Sequence, residues 1–126
     1  MSDDKTISEI FDTAALWAAA FNSGDAKGCA SHYTADADMH AEPVAKVKGR
    51  DEIEKFWQGL IDDGFSDVKY LDPTVKVISD SVAELSSPWS MNKASGVIHL
   101  ERWERQDDGK WLLARDHFQI LDQQDN

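Results

Sequence analysis

Glu42 and His40 stand two residues apart in the string Asp38-Met39-His40-Ala41-Glu42-Pro43. On an extended strand that spacing puts both side chains, with Asp38, on one face, and Pro43 ends the pairing there. A carboxylate beside an imidazole at a cavity mouth is a general acid/base pair once burial lifts the carboxyl toward neutrality. The plainer alternative is two solvated groups on a short hairpin. Asp116 is the second candidate: Leu112, Ala114, Phe118 and Ile120 share its parity. A lone carboxylate in an apolar row is costly unless it is partnered or used; its structural partners would be Arg115, Arg102 or a backbone N–H. His99 lies on the preceding apolar run, and its relation to Asp116 depends on the turn at Asp107-Asp108-Gly109. A two-residue loop sets Glu101 opposite Asp116 and His99 opposite Phe118, clustering His99, Glu101 and Asp116. A three-residue loop sets Leu100 opposite Asp116 and turns His99 to the other side.

Five tryptophans are many for 126 residues. Trp17, Trp57, Trp89 and Trp103, with Tyr33 at the end, are the expected wall of an aromatic pocket, since an indole combines large apolar area with one donor. Filling the core without any ligand is the alternative. His32 and His117 read as exposed or structural. A metal site would need His40, His99 and an acid to converge, and none is expected. His40-Ala41-Glu42 matches half of the zinc-deaminase signature, but the Pro-Cys-x-x-Cys half is absent. Cys29 is the single cysteine, which excludes an intrachain disulfide and a multi-cysteine zinc centre. With no Gly-rich phosphate loop, nucleophile elbow or Cys/His cluster, no cofactor is expected.

The elements that must position these groups follow from periodicity. Thr6-Ile7-Ser8-Glu9 matches a capping box, and Ile7, Ile10, Phe11, Ala14, Trp17 or Ala18, and Phe21 recur at helical spacing, predicting a helix over 7–22 after a polar tail over 1–5. Gly24 ends it and Asp25 caps a second helix over 26–33. Ile53, Phe56, Trp57, Leu60 and Ile61 define a third helix over 51–63, with Gly64 as its left-handed cap. Strands follow over 68–78, kinked at Asp72-Pro73, then 82–91, 96–106 and 110–121. Asp-Gly between the last two is a strong hairpin signal. Short turns join these strands into an antiparallel meander, and helices with one apolar stripe each must cover one face of its sheet. The expected class is α+β in one domain over 1–126, with a cavity between helices and curved sheet.

The net charge of −11 would repel phosphate backbones and anionic lipid surfaces, so nucleic acid and membrane are not expected partners. The acidic start, MSDDKTISEI, is unlike a secretory signal and leads us to expect a cytoplasmic protein. The strands carry apolar residues on both parities in places, Val97 and Trp103 on one and Ile98 and Leu100 on the other. One face can cover the cavity; the second then needs a partner, so a homodimer through the outer sheet face is expected.

Three strings, AAAFNSGDAKGCASHYTADADMH, VKGRDEIEKFWQGLIDDGF and WERQDDGKWLLARDHF, in this order and spacing resemble the NTF2-like (cystatin-like) superfamily, in particular its ketosteroid-isomerase-like and SnoaL-like small proteins. The resemblance spans nearly the whole chain. It implies a cone of three helices on a strongly curved, mainly antiparallel sheet, and a pocket for a compact apolar, carbonyl-bearing compound. Members of the superfamily include isomerases, dehydratases, epoxide hydrolases, polyketide cyclases and non-catalytic binding modules. Glu42-Pro43 resembles the isomerases' Asp-Pro base if one residue is inserted; without the insertion Ala41 falls there. Trp17, eight residues before Asp25, takes the place of the donor tyrosine, and His99 that of the protonated Asp when the arms are matched through Arg102-Trp103. That match favours the two-residue loop. All three positions depart from the isomerase set, and an indole N–H cannot act as an acid, which argues against steroid isomerisation itself.

Overall fold

Ile10, Ala14, Trp17 and Phe21 are all buried along one side of α1 (Ser2–Asn22) in the computed structural model, which describes residues 2–123. Residues 2–5, read from the sequence as a tail, form the first turn of this helix. Asp3 and Asp4 there suit the positive end of the helix dipole; Met1 lies outside the described residues. Gly24, at φ +81°, turns the chain, and Asp25 accepts the Gly28 N–H at 2.9 Å to start α2 (Ala26–Ala30). This helix stops short of the expected end because Tyr33 is already paired with the sheet through Leu113, whose N–H donates to His32 O at 2.7 Å.

The strands and last helix follow as β1 (Tyr33–Glu42), β2 (Ala45–Lys48), α3 (Arg50–Asp62), β3 (Lys69–Tyr70), β4 (Thr74–Ser79), β5 (Val82–Ser90), β6 (Ala94–Arg105) and β7 (Trp111–Gln123). The expected strand over 68–78 is split where Asp72 adopts φ +65°. The sheet order is β2-β1-β7-β6-β5-β3, with β4 pairing β5 outside that path. Among the described residues only β1 against β7 is parallel; the other pairings are antiparallel. Helices α1, α2 and α3 pack on one face of this curved, open sheet, an α+β architecture, and the core lies between.

The register of β6 against β7 decides what faces that core. Asp107, Asp108 and Gly109 form the loop, Gln106 N–H closing onto Lys110 O at 2.8 Å with Gly109 at φ +88°. Arg105 then pairs with Trp111 and Trp103 with Leu113. Carried onward, that register would set Leu100 opposite Asp116. It is changed at Ala114, an extra residue on β7, after which Arg102 meets Arg115 and Glu101 meets Asp116. His99 is in turn extra on β6, so Ile98 rather than His99 meets Phe118. The loop is thus the three-residue one, while the Glu101–Asp116 pairing is the one expected of the two-residue loop. The inward row of β7 is Trp111, Leu113, Asp116 and Phe118; Leu112 and Ala114, expected in it, fall outside because the bulge inverts the parity.

Candidate functional site

Glu101 and Asp116, cross-strand partners, are the carboxylates that the sheet turns into the core, each only 4% exposed. Neutral donors hold them. Tyr70 Oη donates to Glu101 Oε2 at 2.8 Å and Trp103 Nε1 to Oε1 at 3.0 Å. Tyr33 Oη donates to Asp116 Oδ2 at 2.6 Å and itself accepts Trp57 Nε1 at 3.3 Å. Arg50, opening α3, fixes the start of β1 by donating to Tyr33 O at 2.6 and 3.1 Å. Among the described residues no cation pairs with either carboxylate.

Burial without a cation disfavours the ionised form. It pushes Glu101 up to about 8, the charge of Asp116 adding to the effect while the Tyr70 and Trp103 donors oppose it. Burial pushes Asp116 up to about 6, against the Tyr33 hydrogen bond and the nearby His117. Two carboxyls that hinder one another's ionisation titrate as a pair. Burial raises both toward neutrality, the condition under which one carboxyl of such a pair can give a proton while the other takes one. Burial, with the adjacent carboxylates, also holds the Tyr33 and Tyr70 hydroxyls well above their usual range, keeping both as O–H donors.

The two carboxylates border a narrow chamber of about 30 Å³ whose walls include Trp17, Trp57, Trp89, Ile98 and Phe118. That is room for about one or two waters. Trp57 stacks on Phe118 with centroids 5.8 Å apart and meets Trp17 edge-on at 5.0 Å. The indole N–H groups of Trp17 and Trp89 are buried with no acceptor among the described residues. An orphaned buried donor costs roughly 1–3 kcal/mol, so two in one wall ask for an explanation that a bound acceptor would supply. Trp89 and Met91 also border a groove that runs past Phe56, Leu60 and Ile120 to the surface, so these two side chains separate the chamber from solvent on that side.

Of the residues singled out from the sequence, Asp116, Trp17, Trp57 and Trp89 line this chamber. Tyr33 and Trp103 are fully buried and do not line it; each donates to a carboxylate that does. Glu42, His40 and His99 are elsewhere. Met39 and Ala41 take the inward positions of β1, so His40 and Glu42 point to the outer sheet face, where His99 joins them as the exposed bulge residue. Glu42 Oε2 lies 2.5 Å from His117 Nε2, and that hydrogen bond is the main reason its carboxyl is held below the ordinary value of 4.5. Tyr70 and Glu101 were not nominated from the sequence. The signal for Glu101 was its place opposite Asp116 in one of two registers; Tyr70 carried none beyond lying in a strand.

Comparison with known proteins adds the family. The SnoaL-like domain family matches residues 14–85. The chain belongs to the SnoaL-like family. No curated protein matches this SnoaL-like chain. Among solved structures it is similar to a candidate scytalone dehydratase from Novosphingobium aromaticivorans, at 14% identity and TM-score 0.85 over 99% of this chain and 90% of that one. It is also similar to a ketosteroid isomerase-like protein from Erwinia carotovora atroseptica, at 19% identity and TM-score 0.78 over 90% and 95% of the two chains. An NTF2-like protein with a cystatin-like fold from Novosphingobium aromaticivorans matches at 20% identity and TM-score 0.71, over 91% and 81%. At these identities the likeness establishes the NTF2-like fold of this SnoaL-like protein. No helix among its described residues is long and apolar enough to cross a membrane.

Proposed function

We propose that this SnoaL-like protein binds a compact, apolar, carbonyl-bearing compound in the inner chamber and moves a proton on it, in an isomerase, cyclase or lyase step. The observation that carries this reading is the Glu101–Asp116 pair, two carboxyls held by neutral donors against an aromatic chamber. Asp116 takes a proton from the carbon beside the carbonyl, and Glu101 holds the proton that is returned. Trp17 and Trp89 N–H groups receive the carbonyl oxygen as negative charge gathers on it. Trp57 and Phe118 supply a flat apolar wall. Met91, which borders both the chamber and the surface groove, swings aside to admit anything larger than water, while Trp89 stays in the wall as a donor. Glu42, His40 and His99 have no part in this step. The names of the neighbouring structures, a dehydratase and an isomerase-like protein, accord with carbonyl chemistry on this fold and carry no more than that.

α-Tetralone in heavy water tests the proposal, since proton removal beside its carbonyl erases an NMR signal. Exchange is expected with the wild type, and Asp116→Asn should slow it by at least about 100-fold while tryptophan quenching still reports binding. Glu101→Gln should slow it too and move the basic limb of the pH profile. If α-tetralone, cyclohexenone and phenol bind equally to all three proteins and nothing exchanges, the chamber is instead the site of a non-catalytic ligand-binding or assembly module.

Val97, Leu100 and Leu112 are half-buried on the outer sheet face, and we place a second copy of the chain there. Sedimentation should give twice the 14.1 kDa chain mass; a single-chain mass at micromolar concentration removes the homodimer. The single cysteine, Cys29, is a free thiol, which accords with work in the reducing cytoplasm.

A further inference from the structure

Three of the four histidines of the chain, His40, His99 and His117, gather with Glu42 on the outer face of the sheet. The parallel pairing of β1 with β7 puts His40 beside His117, and Glu42, two residues on, returns to the same face. The bulge at His99 brings the third ring alongside. His40 and His117 rings stack with centroids 4.8 Å apart and planes within 6°, and the His99 ring lies 4.9 Å from His117. One ligand atom from each of His40, Glu42 and His117 lies within 4.8 Å of the others, and all three residues are half-buried. The chamber chemistry uses none of them.

We propose that His40, Glu42 and His117 bind a zinc ion through two imidazole nitrogens and one carboxylate oxygen. Two nitrogens and an oxygen suit zinc, whose bonds to such ligands are about 2.0–2.2 Å. Tetrahedral ligands at that bond length stand about 3.3 Å apart, so the ion replaces the His117–Glu42 hydrogen bond, opening that 2.5 Å contact and drawing His40 inward. The fourth position is left for water or for His99, whose Nε2 is otherwise 2.9 Å from Gln119 Oε1. Glu42 supplies a negative charge to the site, and the net charge of −11 draws cations toward the molecule. The flanking cations Lys46 and Arg115 are exposed on the isolated chain, where water screens them.

Titration calorimetry of the full-length protein, dialysed against chelator and then given zinc chloride near neutral pH, tests this. One ion per chain is expected, and His117→Ala, His40→Ala and the isosteric Glu42→Gln should each weaken binding by at least about 10-fold. His32→Ala, which removes the histidine outside the cluster, should change nothing. Cobalt chloride should give the visible absorption of a four-coordinate site in the wild type and not in His117→Ala, with far-ultraviolet circular dichroism confirming that each variant is folded. No binding heat and no cobalt band, equal affinity in the three ligand variants, or half an ion per chain would each overturn the single-chain site.

Discussion

Asp116 gains its acceptor role from a phenol. Tyr33 has two partners at one oxygen, giving its proton to Asp116 and accepting that of Trp57, so it couples the first residue of β1 to β7 and α3 through the interior. Tyr33→Phe leaves a buried carboxylate short of a donor and an indole N–H short of an acceptor. Denaturant unfolding should show a loss of about 1–3 kcal/mol, the cost of leaving buried partners unsatisfied. The same variant should raise the Asp116 pKa further, because the Tyr33 hydrogen bond opposes the upward push of burial. Carboxyl carbon NMR of Asp116 measures this directly; an unchanged titration would mean that the phenol does not tune the acid. Tyr70→Phe acts likewise on Glu101, whose donors also hold its carboxyl down.

At the level of elements, what could be read from the chain was what depends on local periodicity. The α3 stripe Ile53, Phe56, Trp57, Leu60 and Ile61 appears as one helix with Gly64 at φ +91° past its end, and Asp25 caps α2 as its side-chain chemistry requires. What could not be read was the outcome of competition between strands. Two bulges, at Ala114 and His99, each shift the pairing by one residue, and a shift of one inverts every side chain beyond it. That is why Asp116 arrives opposite Glu101 as one register demands, yet His99 leaves the interior for the outer cluster. The direction of the His40–Glu42 face was undetermined for a similar reason: alternation says that the two share a side, and only the parallel docking of β1 on β7 says which side is covered. Gly96 shows how tightly that end of β6 is held. A Cβ there would stand 1.9 Å from Gln119 O and 2.9 Å from the Trp89 ring, so Gly96→Ala must part β6 from β7 or displace a chamber wall. We expect a loss of roughly 3 kcal/mol or more, at the upper end for overpacking, with altered tryptophan fluorescence. A variant as stable as the wild type would show that the strand end yields freely.

For the molecule as a whole, the buried pair gives stability a definite slope with pH. Glu101 and Asp116 have folded pKa values of about 8 and about 6, raised from 4.5 and 3.8, so the folded state binds more protons than the unfolded chain between those limits. Their contribution is therefore fully present below the ordinary values and is lost as pH rises through about 6 and then about 8. Glu42 runs the other way: lowered from 4.5, it contributes stability that fades as pH falls through its folded value, and its exposure keeps the effect small. Maximum stability from these groups should lie at the ordinary carboxyl values, between about 3.8 and about 4.5, and decline from there to about 8, an optimum below the usual neutral one. Self-repulsion at a net charge of −11 would favour the same direction, since acidification discharges surface carboxylates. Salt separates the two causes, because exposed charges are screened within about 10 Å at 0.1 M and a buried pair is screened much less. Thermal melts across this range should thus keep most of their decline on the basic side in high salt and lose part of it in Glu101→Gln. A slope that vanishes with salt and persists in Glu101→Gln would assign it to the surface and leave the interior pair without its raised proton affinity.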